Sequence, residues 1–307
     1  MAKWRNRLLL LDTESTYGTA PSMDGTDAIL VPEIEIVPLE VELKDRELIT
    51  GYFGNTEKIV SMQMSKATIS VEYSTSGSLG VAPKWGPMIR ACGFSETISA
   101  GVSVLYEPVS EDQESVAFTF FADGVKHVLR GSRGTWSLNK AVGEIPRFQY
   151  EFTALYTTTV DGTRPSATYT NQAKPLALNS RNTGTVEIFG FDACLEAMTL
   201  DLANEVNFRQ NAGCTELVEI NDRKPSGTLK IEAPTIAQKD YFTALGSQTL
   251  GEVKIIHGAA GNRLTLTQPS CNLGSIGYSE SNKVIMLDMA FMPNPVTGND
   301  EITLLLD

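Results

Sequence analysis

Ala67-Thr68-Ile69-Ser70-Val71-Glu72 and Gly227-Thr228-Leu229-Lys230-Ile231-Glu232 carry one pattern, threonine, apolar, polar, apolar, glutamate, at two places in the chain. Alternation at period two argues for a strand with one buried and one wet face. The segments downstream of each copy also match. The first continues to Val116-Ala117-Phe118-Thr119-Phe120, Asp123-Gly124 and Lys126-His127-Val128-Leu129. The second continues to Val253-Lys254-Ile255-Ile256-His257, Ala260-Gly261 and Arg263-Leu264-Thr265-Leu266. Both read as strand, glycine turn, strand. Both close on a last strand, Pro146 to Phe152 and Ile285 to Phe291. A repeat this long exceeds the roughly 20–50-residue unit of a solenoid, so it is read as a duplicated, mainly β domain. Two copies of one β-domain per chain allow a six-fold ring to close with three subunits.

The strands have polar fronts. Thr68, Ser70 and Glu72 share one face, as do Thr228, Lys230 and Glu232. On the closing strands Arg147, Gln149 and Glu151 stand opposite Phe148, Tyr150 and Phe152, and Met286, Asp288 and Ala290 stand opposite Ile285, Leu287, Met289 and Phe291. Such a front belongs either to an ordinary half-wet sheet or to a sheet lining a channel. Glu33/Glu35 and Glu40/Glu42 add an acidic stripe on a strand near the start of the first copy.

The 307 residues divide into an arm (1–26), a first domain (27–156), a linker (157–185) and a second domain (186–307). The arm reads as a flexible tail or as a segment docking on a neighbouring subunit. Lys44 to Asn55 and Asn204 to Gly213 are read as long exposed loops at matching positions, which favours a shared job. One short helix is expected per domain, over Pro83–Cys92 before Gly93 and over Ile236–Leu245 before Gly246, by the rule of proline near the start and glycine past the end.

Composition excludes several classes. Hydrophobic residues make up 42% and charged residues 20% of the chain, as in an ordered globular protein. The net charge of -12 argues against binding nucleic acid by neutralising phosphates. Cys92, Cys194, Cys214 and Cys271 form no C-x-x-C pair and read as free thiols of a reducing compartment. The apolar run from Leu8 to Leu11 ends at Asp12, short of the roughly 7–15 residues of a signal h-region, and nothing approaches the roughly 18 of a membrane span. A soluble protein made in a cytoplasm is expected. No nucleophile elbow, phosphate loop or zinc motif occurs; Gly131-Ser132-Arg133-Gly134 reads as a hairpin turn, and the two histidines belong to no catalytic grouping. No catalytic, cofactor or metal residue is expected.

Three segments resemble the major tail tube proteins of phages with long, non-contractile tails, in the group with a duplicated tube domain. They are Glu14-Ser15-Thr16-Tyr17-Gly18-Thr19-Ala20-Pro21, Trp85-Gly86-Pro87-Met88-Ile89-Arg90-Ala91-Cys92-Gly93-Phe94, and the stretch from Asp222 to Thr235 with its Arg-Lys-Pro-Ser-Gly. The resemblance implies two tandem tube β-sandwich domains, each with one flanking helix. It implies homotrimeric, pseudo-hexameric rings stacked into a hollow tube in the virion tail. Expected partners are the chain itself, a tape measure protein inside the tube, tail terminator and distal tail proteins, and DNA that passes without specific binding. Glu72, Gln149, Glu151, Glu232 and Asp288 are then lumen-facing candidates. Asp45, Arg46, Glu47, Asn207 and Arg209 are inter-ring loop candidates. The alternatives are a terminator or distal-tail ring, and a tandem β-sandwich module binding a carbohydrate or receptor through an exposed aromatic cluster. Trp85 and Trp136, the aromatics weighed for such a cluster, read as buried.

Overall fold

A computed structural model describes Lys3, residues 5–259 and residues 261–307. Met1, Ala2 and Trp4 of the arm, and Ala260 of the second glycine turn, lie outside the described residues. The first half contains β1 (Arg7–Thr13), β2 (Glu33–Asp45), β3 (Lys58–Glu72), α1 (Gly86–Arg90), β4 (Phe94–Ser99), β5 (Ser103–Pro108), β6 (Val116–Ala122), β7 (Val125–Ala141), β8 (Arg147–Leu155) and β9 (Val160–Asp161). The second contains β10 (Thr183–Ile188), β11 (Phe191–Asp192), β12 (Leu195–Asp201), β13 (Asn204–Arg209), β14 (Leu217–Arg223), β15 (Ser226–Glu232), α2 (Tyr241–Gly246), β16 (Gly251–Ala259), β17 (Asn262–Ser281), β18 (Val284–Pro293) and β19 (Thr303–Leu306). The fold is mainly β, with the two short helices that were expected, each about half as long as read from the sequence. Pro87 sits in the first turn of α1, where its missing N–H has no intrahelical role, and Gly93 comes after the helix at a φ of 81°. Asp240 caps α2 by accepting from the Thr243 N–H at 2.9 Å.

The duplicated pattern occupies equivalent places. Thr68 of β3 faces Glu35 of β2 and Glu151 of β8; Thr228 of β15 faces Thr199 of β12 and Ala290 of β18. Each half therefore contributes four antiparallel strands, β2-β3-β8-β7 and β12-β15-β18-β17. The two sets are hydrogen-bonded to one another, because β7 also pairs with β12, Ser137 opposite Asp201 and Ala141 opposite Ala197. The long strands β7 and β17 leave this sheet at their N-terminal ends to pair with β6 and β16 in the outer layer.

The core fills the space between layers. Trp136 and Phe148 meet edge-on at 5.3 Å, and Trp85, Phe94, Tyr106, Tyr150 and Phe152 surround them, all at most 2% exposed. Both tryptophans are thus interior, as read from the sequence. Burial of aromatic surface on this scale is the main favourable contribution to such a fold.

Several expectations change. Residues 7–13 of the arm form β1, a strand paired along its length with β6; Leu8 to Leu11 are buried on both faces, which a tail could not supply. Gly131-Ser132-Arg133-Gly134 is not a hairpin turn but a bulge inside β7, where the register shifts between Arg130 and Arg133. Lys44 and Asp45 belong to β2, and Asn204–Arg209 is strand β13, paired with β14. The loops proper are the tips 46–57, shifted by two residues, and 210–216, shorter than expected. Cys194 and Cys214 are exposed free thiols, while Cys92 and Cys271 are buried. Met286 is only 3% exposed, although it alternates with Asp288 and Ala290.

Candidate assembly surfaces

The eight-strand sheet has one polar face, and ladder register puts the expected residues on it in rows. Glu72 faces Arg147, which faces Asn139. Gln149 faces Ser70 and Ser137, and Ser137 faces Asp201 across the junction between the halves. Glu151 faces Thr68 and Thr135. Lys230 faces Asp288, and Glu232 faces Met286. Gln149, Glu151, Glu232 and Asp288 are exposed and Glu72 is half-buried. Glu33, Glu35 and Asp201 stand on the same face, so its carboxylates outnumber its cations Lys66, Arg147 and Lys230. Two of these cations are engaged: Lys66 with Glu40 at 2.8 Å and Lys230 with Glu196 at 3.2 Å. The face is acidic overall.

The sheet has two open edges. Among the described residues β2 is paired only with β3, and β17 from Asn272 to Ser281 only with β18. Unpaired strand edges template pairing with another chain. Apolar side chains line both: Val37 is 39% exposed, Leu39 43% and Tyr278 67%. Matched through the repeat, Tyr278 of β17 takes the place of Leu138 of β7, and Ile36 of β2 the place of Leu200 of β12. At the internal junction Leu138 and Leu200 face one another and are 1% and 0% exposed. The same positions are covered inside the chain and open at its ends.

Of the expected loop residues, Arg46 and Glu47 lie on the first hairpin's tip, Asp45 ends β2, and Asn207 and Arg209 lie within β13. Asp45 pairs with Lys58 at 3.0 Å and Arg46 with Glu57 at 3.5 Å. Glu47 begins a tip whose Ile49, Tyr52 and Phe53 are almost fully exposed. Sequence reasoning passed over these three apolar residues, although Leu48-Ile49 and Tyr52-Phe53 flanked by glycines were the available signal. Asn207 donates to Glu205, and Arg209 pairs with Glu219 at 3.1 Å across β13–β14. These pairs are exposed or, at Asn207 and Glu219, half-buried, and contribute little to stability.

The Glu14-to-Pro21 segment is a latch. The Glu14 carboxylate, 8% exposed, accepts from the N–H groups of Gly18 at 2.8 Å and Gly131 at 2.7 Å and from the Ser115 hydroxyl at 2.6 Å. It satisfies the backbone that the β7 bulge leaves unpaired. The Arg133 guanidinium lies 5.0 Å from the Tyr17 ring centre.

No helix among the described residues is long and apolar enough to cross a membrane. Comparison with curated proteins finds no match. The phage tail tube protein family matches residues 4–303, nearly the whole chain, and neither alternative reading is favoured by that match. With an acidic sheet face, two open strand edges and two long hairpins, the chain belongs to the phage tail tube protein family.

Proposed function

We propose that three copies close into a pseudo-hexameric ring, and that rings stack into the tube of a long, non-contractile tail, through which DNA passes into the host. The observation that carries this reading is the β7–β12 junction. It is a finished joint between two copies of one domain, and the edges of β17 and β2 present the same joint unfinished. Closing it in the internal register pairs Ser279 of one copy with Glu35 of the next, and Tyr278 with Ile36. Continued around the ring, that pairing removes every open edge of the sheet. The two tube domains are residues 27–156, completed by β1, and 186–307.

The polar face then lines the lumen, with Glu72, Gln149, Glu151, Glu232 and Asp288 among its residues. DNA carries about one negative charge per 1.7 Å of axis, and a cationic wall would hold it. A net-acidic wall repels it within roughly a Debye length, about 8 Å at physiological salt, and leaves it free to slide. The outer ends of the two hairpins, with Asp45, Arg46, Glu47, Asn207 and Arg209, reach the adjacent ring. The role is structural, not catalytic. Synthesis is in the host cytoplasm; the tape measure protein fills the lumen during assembly, and terminator and distal tail proteins close the ends.

The test is electron microscopy of the purified chain, alone and with tail-tip extract, alongside cross-linking of Glu35→Cys with Ser279→Cys. Stacked hollow rings and a covalent trimer are expected. A monomer under both conditions, with no cross-linked species, would sink the reading.

A further inference from the structure

The second hairpin, β13–β14, does not project freely from its half. It folds over the first half of its own chain. Asn204 donates from its side-chain amide to the carbonyls of Cys92 at 2.8 Å and Gly134 at 2.9 Å. Arg133 donates to the Val218 carbonyl at 2.9 Å, and Val218 is fully buried. Ile220 packs against Gly93, its Cδ1 3.7 Å from where a β-carbon there would stand. The hairpin thus crosses the same internal junction that β7 and β12 make, and clasps it from outside.

The first hairpin has the same construction without the clasp. A register shift between Glu205 and Val206 in β13–β14 recurs between Glu42 and Leu43 in β2–β3. Matched on that shift, Val41 takes the place of Asn204, Leu43 of Val206 and Val60 of Ile220. These three are 38%, 46% and 46% exposed. An apolar face that is docked in one copy of the domain stands uncovered in the other.

The surface it would meet also has a counterpart. Gln248, in the left-handed region at a φ of 53°, comes after α2 as Gly93 comes after α1. Leu273 of β17, opposite Phe291, takes the place of Gly134 opposite Phe152, and Gly274 is the extra residue at the register shift that follows it. Around them Leu250 is 57% and Met292 42% exposed. These two exposed apolar side chains, with Gln248 and Asn272 beside them, stand next to the open edge of β17, so a strand added there carries its own hairpin directly onto them.

We infer that the outer part of the β2–β3 hairpin clasps the second half of a neighbouring copy of this chain within one ring, lying over Gln248, Gly274 and Met292 as β13–β14 lies over Gly93 and Gly134. The inference rests on the ring reading above and adds a lateral role for the hairpin base, distinct from contact of its tip with the next ring. Each copy-to-copy joint is then held twice, by the β17–β2 ladder and by a hairpin crossing it.

The test uses assembled tubes of the full chain in a Cys194→Ser, Cys214→Ser background, which removes the exposed thiols. Val60→Cys with Gln248→Cys is treated with a short bis-maleimide and run beside Glu35→Cys with Ser279→Cys. Both pairs lie outside the core, so folding is not at stake. The expected result is a ladder to covalent trimer from both pairs. A ladder from the Glu35/Ser279 pair alone overturns the clasp and leaves the ring intact; no ladder from either overturns both. Hydrogen exchange of the unsubstituted protein gives a second readout. Amides of 41–43, 60–62 and 248–250 are expected to slow together at least about tenfold on assembly. Unchanged exchange at these segments while 276–281 slows also overturns the clasp.

Discussion

The Tyr17 hydroxyl accepts a hydrogen bond from the Val218 backbone N–H at 2.6 Å, joining residues 201 positions apart. The same hydroxyl donates to the Gly131 carbonyl at 3.2 Å. One phenol therefore ties the N-terminal segment, the β7 bulge and the second hairpin. Burial raises the Tyr17 pKa above its ordinary value, so the proton that serves Gly131 is held at all physiological pH. Tyr17→Phe leaves the N–H of fully buried Val218 without this partner, which costs about 1–3 kcal/mol. A lower urea midpoint and faster proteolysis in the 210–216 tip are expected. An unchanged midpoint would show that the latch holds nothing.

Lys140 is a liability inside the fold. Its ammonium is fully buried, 4.2 Å from the Tyr73 ring centre, with no hydrogen-bond partner among the described residues. Burial pushes its pKa down to about 7. His257 lies near it, pushed down to about 4 by burial first and by the Lys140 charge second. Above about pH 10.5 Lys140 is neutral folded and unfolded, and costs nothing through titration. As pH falls toward 7 the unfolded chain takes up the proton and the folded chain does not, so stability drops by about 1.4 kcal/mol per unit, then levels off. Lys140→Met is expected to stabilise by roughly 2–4 kcal/mol at pH 7, with the gain shrinking toward pH 10. Urea unfolding across that range checks both the sign and the slope.

Much of the fold was legible because burial enforces alternation. Strands β3, β8, β15 and β18 bury one face, and their residues alternate strictly enough to reveal the duplication. The β1 strand was not legible as such: Leu8 to Leu11 are buried on both faces, and a continuous apolar run carries no period. The ribbon β13–β14 was passed over although Val206 and Phe208 alternate with Glu205, Asn207 and Arg209, because so short and polar a run also fits a loop. The polar face could be read from period two, but its continuity across both halves could not. That depends on the pairing of Ser137 with Asp201, a contact between strands that nothing local specifies. The Glu14–Tyr17 latch was visible only as a resemblance, because its partners Gly131 and Val218 are distant in sequence.

Reversing charge on the polar face separates assembly from passage of DNA. Glu151, Glu232 and Asp288 are exposed and belong to no salt bridge among the described residues. Glu151→Lys, Glu232→Lys and Asp288→Lys together should leave folding and tube formation unchanged. The lumen would then attract the duplex. Each phosphate neutralised adds about 0.9 to the slope of log affinity against log salt. Tails carrying the triple variant are expected to assemble at normal length and to eject DNA slowly, with the delay relieved by salt. Normal ejection at low salt would remove these residues from the lumen.

The tip of the first hairpin can be tested without disturbing its base. Asp45→Lys with Arg46→Glu places a cation beside Lys58 and an anion beside Glu57, where Asp45 and Arg46 now form exposed pairs. Such surface pairs are worth about 0–1 kcal/mol each, so the thermal midpoint should move little. A contact between rings would be far more sensitive, because it recurs at every copy and its charges lose water when the rings meet. The expected outcome is single rings, or short stacks, that fail to elongate. Ring formation and the Glu35/Ser279 cross-link should be retained. Tubes of normal length from this variant would show that ring stacking does not run through Asp45 and Arg46, and would leave Ile49, Tyr52 and Phe53 as the part of the tip to examine by the same length measurement.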